Sequence, residues 1–216
     1  MPSADIVQLI AVAAIPVLLA VTFHEVAHGL VARSLGDRTA EMMGRLSLNP
    51  LKHVDPIGTV LVPAIFLATT QMLFGWAKPV PIGVRNFKHP RRDMVLVAAA
   101  GPASNLVMAL IWAFIGKFVA MVGLGGAVGA FVVGMVWFGI FINVILAVFN
   151  MLPIPPLDGG RVLSGLLPPK ASSRLDALEP YGLVIVLVLL FTGVLWRVVG
   201  PAVQGLGGAL RGFAGF

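Results

Sequence analysis

Phe23-His24-Glu25-Val26-Ala27-His28 places two imidazoles and a carboxylate within five residues, at the end of an almost unbroken apolar run that begins at Ile6. Residues His24 to His28 have the spacing H-E-x-x-H. On a helix, positions four apart lie on one face, one turn above the other. Two imidazoles so placed can reach one tetrahedral zinc ion, and a glutamate beside the first of them can act on a water there as general base. The competing reading is a chance match, or polar residues snorkelling from a helix end. Depth argues against it, because an ionisable side chain at the bilayer centre costs about 2.5 kcal/mol or more and is there by default for function.

Zinc in a catalytic site takes a third protein ligand and keeps one position open for water. The chain has no cysteine, which excludes thiolate ligands, disulfides and a cysteine nucleophile. His53 and His89 lie in basic loops. Asp5, Asp37, Glu41, Asp55, Asp93, Asp176 and Glu179 all have ordinary loop or helix-end readings. Asp158 stands apart, directly after the fourth apolar segment. Pro153, Pro155 and Pro156 break that segment and keep the chain extended, while Gly159 and Gly160 permit close backbone approach. Irregular backbone at membrane depth is tolerated only where protein or a wet cavity surrounds it. Asp158 could be no more than the N-cap of the next helix. Beside H-E-x-x-H, the ligand reading prevails.

The elements that must bring these groups together are membrane helices. Of the 216 residues, 58% are hydrophobic and only 11% charged, with mean hydropathy +0.98. Soluble domains carry roughly 25% charged residues, so the chain reads as one membrane-embedded domain over 1–216, with its core at about 6–167. Five apolar segments are expected, at about Ile6–Ser34, Pro56–Phe74, Met94–Val122, Val128–Met151 and Tyr181–Val199, the last an extra C-terminal helix. The N-terminus is read as the start of the first helix and not as a cleaved signal. The net charge of +6 fits cytoplasmic loops facing anionic lipid, and no nucleic-acid motif accompanies it. The alternation at Arg45-Leu46-Ser47-Leu48, before Asn49-Pro50, predicts a small membrane-associated strand pair. The fold class is therefore an all-α polytopic membrane bundle with that strand pair and a re-entrant segment.

The re-entrant expectation comes from the metal. His24 and His28 near the end of the first helix and Asp158 after the fourth segment share one ion only if an even number of crossings separates them. Three candidate segments lie between, so Pro56–Phe74 should enter and return. Both the 33–52 region and the basic loop holding Lys78, Arg85, Lys88, Arg91 and Arg92 are then cytoplasmic, as the positive-inside rule favours.

H-E-x-x-H on an early membrane helix, paired with Asn150-x-x-Pro153-x-Pro155-Pro156-Leu157-Asp158-Gly159, resembles the site-2 protease family of intramembrane zinc metalloproteases. Ala100 to Asn105 resembles that family's Gly-Pro-x-x-Asn helix start. "GRLSLNPLKHVDPIG" and "GWAKPVP" resemble a compact bacterial subgroup without a PDZ or CBS domain. The resemblance covers about 20–165. It implies one Zn2+ held by His24, His28 and Asp158, Glu25 as catalytic base, and Asn150 contacting substrate or oxyanion. It also implies a transmembrane protein as substrate and a bacterial plasma membrane, and the loop charges set the active site toward its cytoplasmic side. A metal or proton transporter using the same cluster is the alternative. It predicts ligands strung along a path and an inverted repeat, and no repeat is visible.

Overall fold

The computed structural model describes residues 3–62, 64–66 and 75–215. Among them every regular element is helical. The long elements are α1 (Ser3–Ser34), α3 (Pro90–Val122), α4 (Gly126–Asn150) and α8 (Val194–Ala214). The short ones are α2 (Thr39–Met42), α5 (Asp158–Leu166), α6 (Pro169–Asp176) and α7 (Gly182–Phe191). Among the described residues, the stretches Gln8–Ser34, Pro90–Val122 and Gly126–Asn150 are each long and apolar enough to cross a membrane, and the bent pair Pro169–Phe191 and Val194–Ala214 is so when taken as one.

The site is positioned by two rows of residues spaced four apart. On α1, Ala20, His24, His28 and Ala32 are buried; on α3, Val97, Gly101, Asn105, Ala109 and Ala113 are buried. Such rows form ridges that fit the grooves of a facing helix. His28 meets Val97 and His24 meets Asn105, so the two helices run antiparallel. The apolar core lies farther along α3. There Trp112 and Ala113 pack with Val136, Ile140 and Val144 of α4 and with Leu195, Val199 and Val203 of α8. Gly139 has no side chain, and the Trp112 ring fills that space.

Three expectations need correction. The strand pair at Arg45–Leu48 does not form. Its polar groups are satisfied locally instead: Ser47 N–H donates to Arg45 O at 3.0 Å and Asn49 N–H to Ser47 Oγ at 3.2 Å. Ser47 O is taken by His53 Nε2 at 2.8 Å, and Lys52 Nζ donates to Gly44 O at 2.9 Å. Four alternating residues are too few to outcompete such side-chain hydrogen bonds. The fifth apolar segment is no straight span. It breaks at Gly193, whose φ of 73° suits glycine, and the helical runs on either side meet at 79°. Gly101-Pro102 does not start a helix but lies well inside α3.

The turn of the expected re-entrant segment falls on 67–74, outside the described residues. Its two ends are described. Asp55 caps a π-helical turn at Pro56–Leu61 by accepting from Ile57 N at 3.0 Å and Gly58 N at 2.7 Å. The chain comes back alongside: Trp76 N–H donates to Gly58 O at 3.0 Å, and Thr59 Oγ1 to Trp76 O at 2.9 Å. An extended strap, 75–83, then runs back to α1.

Candidate metal centre

Two helices and one proline-rich turn deliver the polar groups. His24 and His28 come from successive turns of α1, with ring centroids 4.7 Å apart and planes at 85°. Gly101 of α3 lies opposite them. A methyl group there would stand 2.5 Å from His28 Cε1 and 2.6 Å from His24 Cε1. The missing side chain is thus the room the rings occupy.

Asp158 is the first residue of α5. The turn before it folds tightly enough that any Cβ on Gly159 would strike the Met151 and Leu152 carbonyls, and one on Gly160 the Ile154–Pro155 backbone. Gly182, at the start of α7, is pressed against Pro155 and Pro156 from the other side. The proline run is therefore clamped between two glycine contacts. Asp158 Oδ2 lies 3.2 Å from His24 Nε2 and 3.4 Å from His28 Nε2.

The donor set decides what fits between these groups. His28 Nδ1 lies 2.7 Å from Val97 O, which can only accept, so Nδ1 carries the proton. His24 Nδ1 lies 2.6 Å from Asn105 Oδ1. The amide of Asn105 is oriented by its other end, since Nδ2 donates to Ala20 O at 3.1 Å and to Asn143 Oδ1 at 3.0 Å. Asn143 Nδ2 donates in turn to Gly139 O at 2.9 Å. In the neutral rings, both Nε2 atoms then turn lone pairs toward Asp158. Asp158 Oδ2 is buried without a hydrogen-bond donor. Two lone pairs and a carboxylate oxygen, all within 4.8 Å of one another, form a set that a divalent cation satisfies. The outer hydrogen bonds to Val97 and Asn105 orient the rings for it.

Glu25 points to a different neighbour. Its Oε2 accepts the Val80 N–H at 2.8 Å, and among the described residues Oε1 takes no hydrogen bond. Asn150 is the last residue of α4 and its Nδ2 donates back to Leu146 O at 3.0 Å. Among the described residues it makes no hydrogen bond to His24, Glu25, His28 or Asp158. Arg161 pairs with Glu179 at 3.7 Å. His53 and Asp55 serve their own loop.

One feature was hidden from the sequence and another was read as one of two alternatives. From the sequence, Asn105 and Asn143 read equally as interhelical glue or as supports of the site, and the structure shows both: Asn105 holds His24 and pairs with Asn143. Asp37, which reads as an ordinary loop acid, is 1% exposed. Burial works against its charge, but hydrogen bonds from Thr39, Asn86 and Gly83 hold its pKa below the ordinary carboxylate value.

A family model described as Peptidase family M50 matches residues 115–192. The Bacillus subtilis (strain 168) protein named "Putative zinc metalloprotease YwhC" is 43% identical over 192 residues, covering 86% of this chain and 84% of that protein. The Mycolicibacterium smegmatis (strain ATCC 700084 / mc(2)155) protein named "Putative zinc metalloprotease Rip2" is 32% identical over 184 residues, covering 83% of this chain and 66% of that protein. No solved structure matches the chain. Identity sustained along most of a relative's length, on long apolar helices, places this chain in Peptidase family M50, the site-2 proteases, as an integral membrane protein.

Proposed function

We propose that the protein is a zinc-dependent intramembrane endopeptidase that cleaves a peptide bond within or near a transmembrane segment of another membrane protein. The observation that carries this is the buried, donorless Asp158 Oδ2 facing two imidazole nitrogens whose other ring nitrogens are already committed. His24, His28 and Asp158 would hold one ion. A zinc ion in such a set supplies Lewis-acid polarisation of a carbonyl and acidifies water. Transport through the cluster calls for ligands spread along a path; three ligand atoms within 4.8 Å favour a single ion instead.

The chain's own groups do the rest. Glu25 has one oxygen fixed by Val80 N–H and one without a partner among the described residues. The unengaged oxygen accepts a proton from the attacking water and returns it to the leaving amine. A helical substrate hides its amides, so it has to unwind locally, which weak helix formers such as Gly or Pro ease. For Asn150 to reach an oxyanion, its Nδ2 has to leave Leu146 O.

The side-by-side ends of the 56–76 segment support a re-entrant hairpin. Only α3 and α4 then cross between the histidines and Asp158, an even number. With the basic loops inside, the site faces the cytoplasmic side of a bacterial plasma membrane. The test is cleavage of a model transmembrane substrate by purified protein in liposomes. Wild type cleaves and Glu25→Gln does not, while both keep their zinc. Cleavage surviving in Glu25→Gln defeats the assignment.

A further inference from the structure

We propose that the main-chain N–H of Val80 aims the Glu25 carboxylate, and that Asp37 is the positioning residue that holds Val80 in place. The inference rests on the reading of Glu25 as general base.

The strap sequence Lys78-Pro79-Val80-Pro81-Ile82-Gly83 explains why Val80 supplies the donor. Prolines have no N–H and disfavour helix, so Val80 carries the only donor between Lys78 and Ile82. That donor goes to Glu25 Oε2 at 2.8 Å. Val80 is 5% exposed, and its side chain lies over Gly29. A methyl group on Gly29 would stand 2.7 Å from Leu46 Cδ1 and 3.2 Å from Val80 Cγ1. Gly29 is one turn beyond Glu25 on the same face of α1, so its missing side chain leaves room for Leu46 and for Val80, whose amide Glu25 uses.

The strap is fastened at both ends. Upstream, Lys78 N–H donates to His53 O at 3.0 Å, and the Arg45 guanidinium donates to Lys78 O at 3.0 Å and Pro79 O at 3.3 Å. Downstream, Gly83 N–H donates to Asp37 Oδ2 at 2.7 Å. Asp37 Oδ1 accepts from Thr39 Oγ1 at 2.5 Å, Asn86 Nδ2 at 2.7 Å and Thr39 N at 3.1 Å. Gly83 fits closely there, since a Cβ would stand 2.7 Å from Thr39 Oγ1 and 3.0 Å from Asp37 Oδ1. Asp37 follows α1 by three residues, so the strap is tied to the helix's end and again to its Glu25. A carboxylate held by one fixed donor keeps its rotamer while its other oxygen stays available, the support a reacting group needs.

Simple coverage of α1 does not account for the strap. Besides burying Val80, the strap has five polar main-chain groups, Lys78 N–H and O, Pro79 O, Val80 N–H and Gly83 N–H, engaged by Glu25, Asp37, Arg45 and His53.

Residue-resolved amide exchange on the full-length protein, joined to kinetics on a transmembrane substrate, tests the proposal. Val80 and Gly83 amides are protected in wild type and in Glu25→Gln, because glutamine still accepts. In Glu25→Ala the Val80 amide exchanges about tenfold faster or more. Asp37→Asn sets an NH2 group against the donors that Asp37 accepts. It accelerates both Val80 and Gly83 and lowers kcat by on the order of tenfold to a hundredfold, with KM and zinc content unchanged. Asn86→Ala removes one of the donors to Asp37 and gives the same pattern at reduced size if Asp37→Asn does not fold. Val80 exchange unaltered in Glu25→Ala or Asp37→Asn overturns the proposal, as does a kcat loss that only tracks zinc loss. If wild type cleaves no transmembrane substrate but the exchange pattern holds, the protease reading fails and the staple between Asp37, Val80 and Glu25 stands.

Discussion

Gly101→Ala separates helix stability from metal binding. Alanine favours a helix interior over glycine by about 1 kcal/mol, so on propensity alone the change stabilises α3. The site works the other way. The new methyl would lie 2.5 Å from His28 Cε1 and 2.6 Å from His24 Cε1, against 3.4 Å for ordinary contact, so rings or helix have to shift by about 0.9 Å. Metal ligands tolerate about 0.2 Å. Both imidazoles are also tethered by their Nδ1 atoms to Val97 and Asn105 on α3. The helix that pushes is the one that holds them, so neither ring can retreat without breaking its hydrogen bond. Overpacking costs about 1–3 kcal/mol, which the propensity gain partly offsets, and the melting temperature changes little. Zinc affinity falls about tenfold to a hundredfold, the range seen when ligand support is lost. Competition with a chromogenic chelator reads the affinity and thermal unfolding reads the fold. Wild-type zinc affinity in Gly101→Ala refutes the packing argument.

Asn105→Ala removes the acceptor for His24 Nδ1 and the donor to Asn143 Oδ1; zinc affinity falls about tenfold to a hundredfold. The newly unsatisfied Asn143 also lowers stability by about 1–3 kcal/mol in a denaturation assay. A cysteine placed by Arg85→Cys in otherwise wild-type protein is labelled by an impermeant reagent only from the cytoplasmic side; labelling from outside contradicts the re-entrant topology.

What could be read ahead of the structure follows from how local each signal is. The His24–His28 pair needs only the helical period. Asp158 needs only the contrast between a proline-broken turn and the apolar segment before it. The bulk of α1, α3 and α4 follows from continuous apolar composition, although α3 starts at Pro90 with a charged turn, ahead of the Met94 expected. The failures are non-local. Arg45–Leu48 alternates like a strand, but its hydrogen bonds go to Ala40, His53 and the strap. Tyr181–Val199 is mostly apolar, yet Gly193 bends it. Gly101-Pro102 looks like a helix start because glycine and proline punctuate chains, while the histidines that require Gly101 lie more than seventy residues away. The tie from Asp37 to the strap gave no sign, since the donors Gly83 and Asn86 lie more than forty residues away in sequence. The proposed oxyanion role of Asn150 came from resemblance, and its side chain here turns back on its own helix.

Zinc content of the purified full-length protein and its single-site variants tests the central claim most directly. One zinc per chain is predicted for wild type and Glu25→Gln, and near-complete loss for His24→Ala, His28→Ala and Asp158→Ala alike. Full zinc retention in Asp158→Ala contradicts the account, because the carboxylate carried in by the proline-broken turn would then hold nothing.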